Sequence, residues 1–186
     1  RSLTAIANQY SAVAELAPMY ATAIAAARRA IEISPGLADA HSTLGYVLFQ
    51  GRLDARAARQ PFDRSRQLGL GDAAVMARFA QYCARVGRET DAAAAIERAL
   101  ALDPLNPLIY RAAGTIEYAA RHYAASLLPL QKALAMNPKM TRARAAMGDA
   151  LLLLGRLPEA LAAYDAEPVE DFRLSGKAVV EHRLGE

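Results

Sequence analysis

The sequence predicts an all-α fold organised as a solenoid of repeated helical hairpins. Three observations carry this. Alanine supplies 44 of the 186 residues, while aromatics make up 6% and tryptophan is absent. Alanine loses no side-chain entropy in a helix, whereas sheets draw on β-branched and aromatic residues. The second observation is a period. Ala30 to Pro35, Ala99 to Pro104 and Ala133 to Pro138 share one pattern, Ala-Leu/Ile-x-x-x-Pro, and their prolines stand 69 and 34 residues apart. Gly45, Gly114 and Gly148 repeat the same two gaps. Sixty-nine is two periods of 34 with one inserted residue, and a fixed period in this range marks a helical array. The third is what composition excludes. One cysteine, Cys83, rules out a disulfide framework or a cysteine-rich zinc site. No apolar run reaches the roughly 18 residues of a membrane span.

The period divides one domain, 1–186, into units at 1–37, 38–72, 73–106, 107–140 and 141–170, with 171–186 left over. The first keeps only Ala23, Ala27 and Ala30 of the pattern. The second opens with His41, Leu44-Gly45 and Leu48, and the third runs through Met76, Phe79-Ala80, Cys83, Ala92, Ile96 and Ala99. The fourth carries Tyr110, Ala113-Gly114, Tyr123, Ser126, Leu130 and Ala133, and the fifth Met147-Gly148, Leu151, Ala160 and Tyr164. Small residues at positions 8, 20 and 27 let two antiparallel helices, A and B, approach closely. Larger residues at 4, 7, 11, 17 and 24 fill the space between them. The closing proline cannot continue helix B. Asn106-Pro107 reads as an N-cap followed by Pro at the first helical position.

In these slots the chain resembles the tetratricopeptide repeat family over nearly its whole length. The resemblance implies a right-handed α-α superhelical solenoid in which the A helices line a concave groove. It implies a noncatalytic protein-interaction module without a cofactor. The lengthened A-to-B turn of the second unit, with Gly51 seven residues before Ala58, and the stretch Ala166 to Leu174 resemble C-terminal repeat modules of bacterial adenylate-cyclase-like and winged-helix regulators. That finer resemblance implies a regulatory part of a larger bacterial signalling protein, with a cytoplasmic location. The start at Arg1, with no basic-then-apolar leader, is expected of a segment of such a protein.

Departures from the pattern set further expectations. Pro61 and Pro129 fall at one repeat position inside B helices and are expected to kink or delay them. Arg144 takes the large apolar slot of the fifth unit, where its stem would cover apolar surface while its guanidinium reaches water. Pro168 arrives about four residues early. A helix over 172–184 then follows, either a terminal cap or the first helix of a sixth unit cut short.

No active-site constellation emerges. His41, His122 and His182 sit in different units, with structural or solvent roles, and Cys83 occupies a core slot. Gly69-Leu70-Gly71 reads as a turn. The family's groove positions correspond here to Tyr46, Phe49, Arg78, Gln81, Arg85, Arg111, Thr115, Tyr118 and Arg142, with Asp39, Leu108, Asp149, Leu152 and Leu153 beside them. Arginines among aromatics suit a protein or peptide partner with acidic and apolar groups. The asparagines of the family's chaperone-tail clamp are absent. A second patch of Arg52, Arg56, Arg59, Arg64 and Arg66 against Asp54 and Asp63 carries the whole chain's net +3. It reads as a solvated helix face or a contact for an acidic partner, and no motif favours nucleic acid. The alternative function is homodimerisation through an apolar edge at Leu174, Val179, Val180 and Leu184.

Overall fold

The structure is a computed structural model that describes residues 3–185, with side chains from residue 17 onward. The described residues form helices and no strand: α1 (Leu3–Ile33), α2 (Ala38–Tyr46), α3 (Ala55–Leu68), α4 (Ala73–Arg85), α5 (Glu89–Leu102), α6 (Pro107–Ala119), α7 (Tyr123–Met136), α8 (Ala143–Leu153), α9 (Leu157–Asp165) and α10 (Glu170–Leu184). None of them is long and apolar enough to cross a membrane. The chain divides between Tyr82 and Cys83, inside α4, into two compact halves.

In the first half, α1 is one continuous helix of 31 residues rather than a hairpin, and it carries Pro18 in its interior. Its Ile24 and Ala27 pack on Leu44 and Val47. The extra residues of the second unit form a π-helical turn, Val47–Gly51, closed by the Arg52 N–H donating to the Val47 carbonyl at 3.2 Å. Gly51 is required there, because a Cβ would stand 2.5 Å from the Tyr20 ring. Asp54 then caps α3, its Oδ1 accepting from the Ala57 N–H at 2.8 Å. Asp72 does the same for α4, accepting from Ala74 and Val75. In the second half, the Asn106 cap is present as its residues predict, with Oδ1 accepting from the Leu108 N–H and Pro107 in the first turn.

Three of the A–B pairs close over one kind of contact. A Cβ on Gly45 would lie 2.8 Å from Phe62, one on Gly114 2.5 Å from Leu130, and one on Gly148 2.7 Å from Tyr164. Gly45, Gly114 and Gly148 fill the position-8 slot, and Phe62, Leu130 and Tyr164 fill the large slot of the following B helix. Tyr164 is also covered from the far side by Gly176 of α10.

Pro61 and Pro129 do not delay their helices. Both helices start before their proline and run through it, α3 from Ala55 and α7 from Tyr123. A proline at the seventh residue removes one bond near the start of the helix and leaves the later ones in place. Arg144 differs too: rather than reaching only water, its Nη1 donates to the Pro138 carbonyl at 2.5 Å. His41, in the same slot of the second unit, likewise donates from Nε2 to the Pro35 carbonyl at 3.0 Å. A polar residue at position 4 thus ties its helix to the closing proline six residues earlier.

Where Pro168 breaks the register, Glu167 supplies a substitute joint. This carboxylate is 1% exposed. Its Oε1 accepts from the backbone N–H groups of Arg142 (2.9 Å) and Val169 (3.3 Å), and its Oε2 from Ala145 (3.1 Å). The Arg142 and Ala145 groups belong to the start of α8, so Glu167 caps that helix from the α9–α10 turn, where the helix dipole favours negative charge. Arg142 adopts φ 66°, a left-handed conformation uncommon outside glycine, to present its N–H.

Two predictions follow from these contacts. Gly148→Val drives two methyls into Tyr164 and should cost about 1–3 kcal/mol in urea unfolding. Gly36→Ala, with nothing within 4 Å of the added carbon, should leave the curve unmoved. Glu167→Ala strands two buried N–H groups of α8 and should cost about 2–3 kcal/mol. Loss of hydrogen-exchange protection confined to the first turn of α8 would locate that cost, and unchanged exchange there would contradict the capping role.

Candidate functional site

The residues expected to line a groove fall in both halves. In the first half, Asp39 opens α2 and Arg78 sits on α4. Their side chains form an ion pair with Arg78 Nη1 2.8 Å from Asp39 Oδ1. The pair joins two helices of one face across 39 residues of sequence. Its guanidinium therefore meets a carboxylate of its own chain. Tyr46 stands exposed at the end of α2. Phe49, in the π-helical turn, is half-buried with its ring edge-on to Tyr82, centroids 5.3 Å apart. Tyr82 stacks on Phe62 at 4.5 Å and donates its hydroxyl to the Ala55 carbonyl at 3.0 Å. Phe49 thus belongs to an aromatic joint as much as to a surface. Gln81 lies half-buried one residue before Tyr82.

In the second half, Arg85 is exposed at the last residue of α4. Arg111, Thr115 and Tyr118 share α6, which packs beside α8. Thr115 Oγ1 donates to the Ala112 carbonyl at 2.8 Å, so this donor is engaged within the helix. The Tyr118 ring tilts against Tyr123, centroids 5.5 Å apart. Burial pushes its phenol above the ordinary tyrosine value, and the Asp149 charge and Tyr123 add to the shift. Asp149, on α8, accepts from the Tyr164 hydroxyl at 2.6 Å. Removal of water by the surrounding protein raises its carboxyl above the usual range, and the Tyr164 hydrogen bond opposes that rise. The Tyr164 phenol is raised by burial first and then by this same bond. Leu108 and Leu153 are exposed at opposite ends of α6 and α8.

Arg142 is placed differently from a simple groove cation. Its guanidinium lies over the Phe172 ring of α10, 4.8 Å from the centroid, while its N–H bonds to Glu167. A left-handed residue held at both ends is a tie between α8 and α10. The sequence hid it because Phe172 is 30 positions away and Glu167 lies in a turn of broken register.

The C-terminal edge needs a correction. Leu174, Val179 and Leu184 are exposed, at 50%, 48% and 43%. Val180 is not: it is wholly buried, in a cluster with Ala145, Leu151, Ala160 and Tyr164. A helix presents adjacent residues 100° apart, so Val179 and Val180 cannot share one face. α10 starts at Glu170, two residues before the expected helix, with Glu170 and Asp171 in its first turn.

The remaining polar residues have local tasks. His122 precedes α7 and donates from Nδ1 to Glu117 at 3.0 Å. His182 is exposed in the last turn of α10, and Cys83 is buried.

Comparison with known proteins agrees with the helical pairs. No curated protein matches the chain. Among solved structures, PilW, a widely conserved type IV pilus biogenesis factor, is similar at 18% identity and a TM-score of 0.78, over 100% of this chain and 87% of that one. PilF of Pseudomonas aeruginosa is similar at 18% identity and a TM-score of 0.67, over 96% of this chain and 86% of its own. YrrB, described as a TPR protein with an unusual peptide-binding site, is similar at 21% and 0.57, over 86% and 84%. At these identities the likeness is one of fold. The tetratricopeptide repeat model matches residues 78–138 and 111–171, which together span half of the sequence. The chain belongs to the tetratricopeptide repeat family.

Proposed function

We propose that the chain is a noncatalytic protein-interaction module whose A-helix faces hold an extended segment of a partner. The observation that carries this reading is the adjacent pair α6 and α8. Leu108 and Leu153 are exposed at opposite ends of the pair, which also carries Tyr118 and the Asp149–Tyr164 hydrogen bond. Exposed leucines bury apolar side chains of a ligand, and a tyrosine beside a carboxylate offers directed hydrogen bonds to its backbone. The fold likeness to YrrB, a protein whose structure is described by its peptide-binding site, supports the reading at the level of architecture. The partner we favour is a protein segment with apolar side chains. Acidic groups are a weaker part of the proposal in this face, because Arg78 and Arg142 are engaged with Asp39 and Phe172. A place in a larger bacterial regulatory protein rests on the resemblance of the lengthened turn and of the Ala166–Leu174 stretch, and in this chain Glu167 of that stretch caps α8.

Peptides selected from a random library against the whole chain test this. Leu153→Asp or Tyr118→Ala should weaken them about tenfold or more, the scale of a truncated anchor residue. Leu128→Asp, an equally exposed leucine on the B helix α7, should not. Peptides indifferent to both α6 and α8 changes would remove the groove from the proposal.

A second reading, self-association, draws on the exposed Leu174, Val179 and Leu184. Light scattering decides it. A dimer that falls to the 19.9 kDa monomer with Val179→Asp supports the edge, and a mass unaffected by that change counts against it. Val180→Asp is unsuitable, since it places a charge in the core.

A further inference from the structure

The strongest concentration of charge lies away from the A-helix faces, on α3. Arg56, Arg59, Gln60, Asp63, Arg64 and Gln67 follow the i, i+3, i+4, i+7, i+8 spacing of one helical stripe. The opposite stripe, Ala58, Pro61, Phe62 and Ser65, is buried. The polar stripe is not a flat solvated face. With His41 and Pro35 it walls an open pocket of about 640 Å³. Arg66 is withdrawn from it, since its guanidinium lies 5.5 Å from the centroid of the Phe79 ring.

The arrangement of charge selects among anions. Three guanidinium groups face one carboxylate, and that carboxylate, Asp63, sits 3.7 Å from Arg59 near the middle of the stripe. Arg56 and Arg64 flank this pair. Eight residues of helix separate them by about 12 Å along the axis. A single phosphate would need its arginines to converge on one point. Two cations whose helix positions lie about 12 Å apart, on either side of an ion pair, suit two separate anionic groups. In an extended peptide, side chains four residues apart point the same way and stand about 13 Å from each other. The concavity also disfavours a bilayer surface, which is flat on this scale, and no apolar side chain of the stripe is available to enter one. Gln67 accepts from Arg64 Nη1 at 3.3 Å and so positions that arginine, while Gln60 adds a neutral donor and acceptor that match a peptide backbone.

We propose that this face of α3 binds a short acidic segment of a partner protein, with two carboxylates four residues apart seated on Arg56 and Arg64. The site is separate from the α6–α8 face, so either proposal stands without the other.

The experiment uses the whole chain and a fluorescein-labelled octapeptide with glutamates at its second and sixth positions in an alanine–serine background, read by fluorescence anisotropy. Arg56→Gln with Arg64→Gln should weaken binding about tenfold or more. Arg28→Gln with Arg183→Gln removes the same charge from exposed sites elsewhere and should change it less than about twofold. The glutamine version of the peptide should not bind. Neither inorganic phosphate at the peptide's concentration nor vesicles rich in phosphatidylserine should displace it. An equal loss in the two double variants would show general charge attraction and overturn the site. So would displacement by phosphate, or retention by vesicles of a protein that ignores the peptide. Circular dichroism of each variant confirms that the helices are intact, and because all four arginines are exposed on helices, neither double change removes core packing.

Discussion

The contact on which this fold depends is a glycine of one helix lying against a large side chain of the next. Gly45 meets Phe62, Gly114 meets Leu130 and Gly148 meets Tyr164. Each pair sets how closely an A helix approaches its B helix, and the missing Cβ lets the ring or leucine fill the interface itself. Helix packing at such small residues lies at the near end of the usual 8–10 Å range. The consequence reaches the surface. With Gly148 turned to helix B, Leu153, about 140° further round the helix, is left outward, whereas Tyr118 stands only about 40° from Gly114 and leans on Tyr123 of the B helix. Tyr164 carries this furthest: its ring is held between Gly148 and Gly176, and its hydroxyl emerges to meet Asp149. One side chain thus connects the core of the last pair to the Asp149 carboxylate.

A repeat made of apolar slots still has to satisfy its helix ends, and the chain does so in two ways. Where the period is intact, a residue at the turn serves as cap, as Asp72 does for α4 and Asn106 for α6. Where position 4 is polar, as at His41 and Arg144, the side chain reaches back to the carbonyl of the closing proline. Beyond Asp165 the period fails, and no turn residue stands in the right place before α8. Glu167 answers from 25 residues further on, and Arg142 takes a left-handed backbone to meet it. A buried carboxylate with three backbone donors is tolerable because the donors replace its lost water.

Much of this was legible in the residues. The glycine and proline gaps establish the hairpins, and Asn106-Pro107 announces its helix, because these signals act within a few residues of themselves. The lengthened turn was visible as one inserted residue, though not its π-helical form or the close approach of Tyr20 of α1 to Gly51. What stayed hidden is long-range. Nothing local joins Asp39 to Arg78, or Phe172 to Arg142. Val180 reads as an edge residue until its 100° offset from Val179 is combined with the position of Tyr164. Pro61 and Pro129 delay neither helix, because the missing bond falls in the early turns and the core face carries the rest.

The arginines show how the same residue type divides between holding the chain and leaving it available. An arginine that already meets a carboxylate or a ring of its own chain recognises a ligand only by surrendering that contact, so its net gain is the difference between two similar interactions. Arg78 and Arg142 are of this kind, and Arg66 over Phe79 is a third. On α3 the balance is different. Arg59 sits 3.7 Å from Asp63 and Arg64 donates to the Gln67 side chain at 3.3 Å, and the stripe keeps three arginines against one carboxylate, so a ligand anion meets a net positive charge there. The stripe is held outward by Phe62 and Ala58 on the opposite side, which anchor the helix to α2. The packing that makes the repeat therefore also fixes which of its charges point away from it.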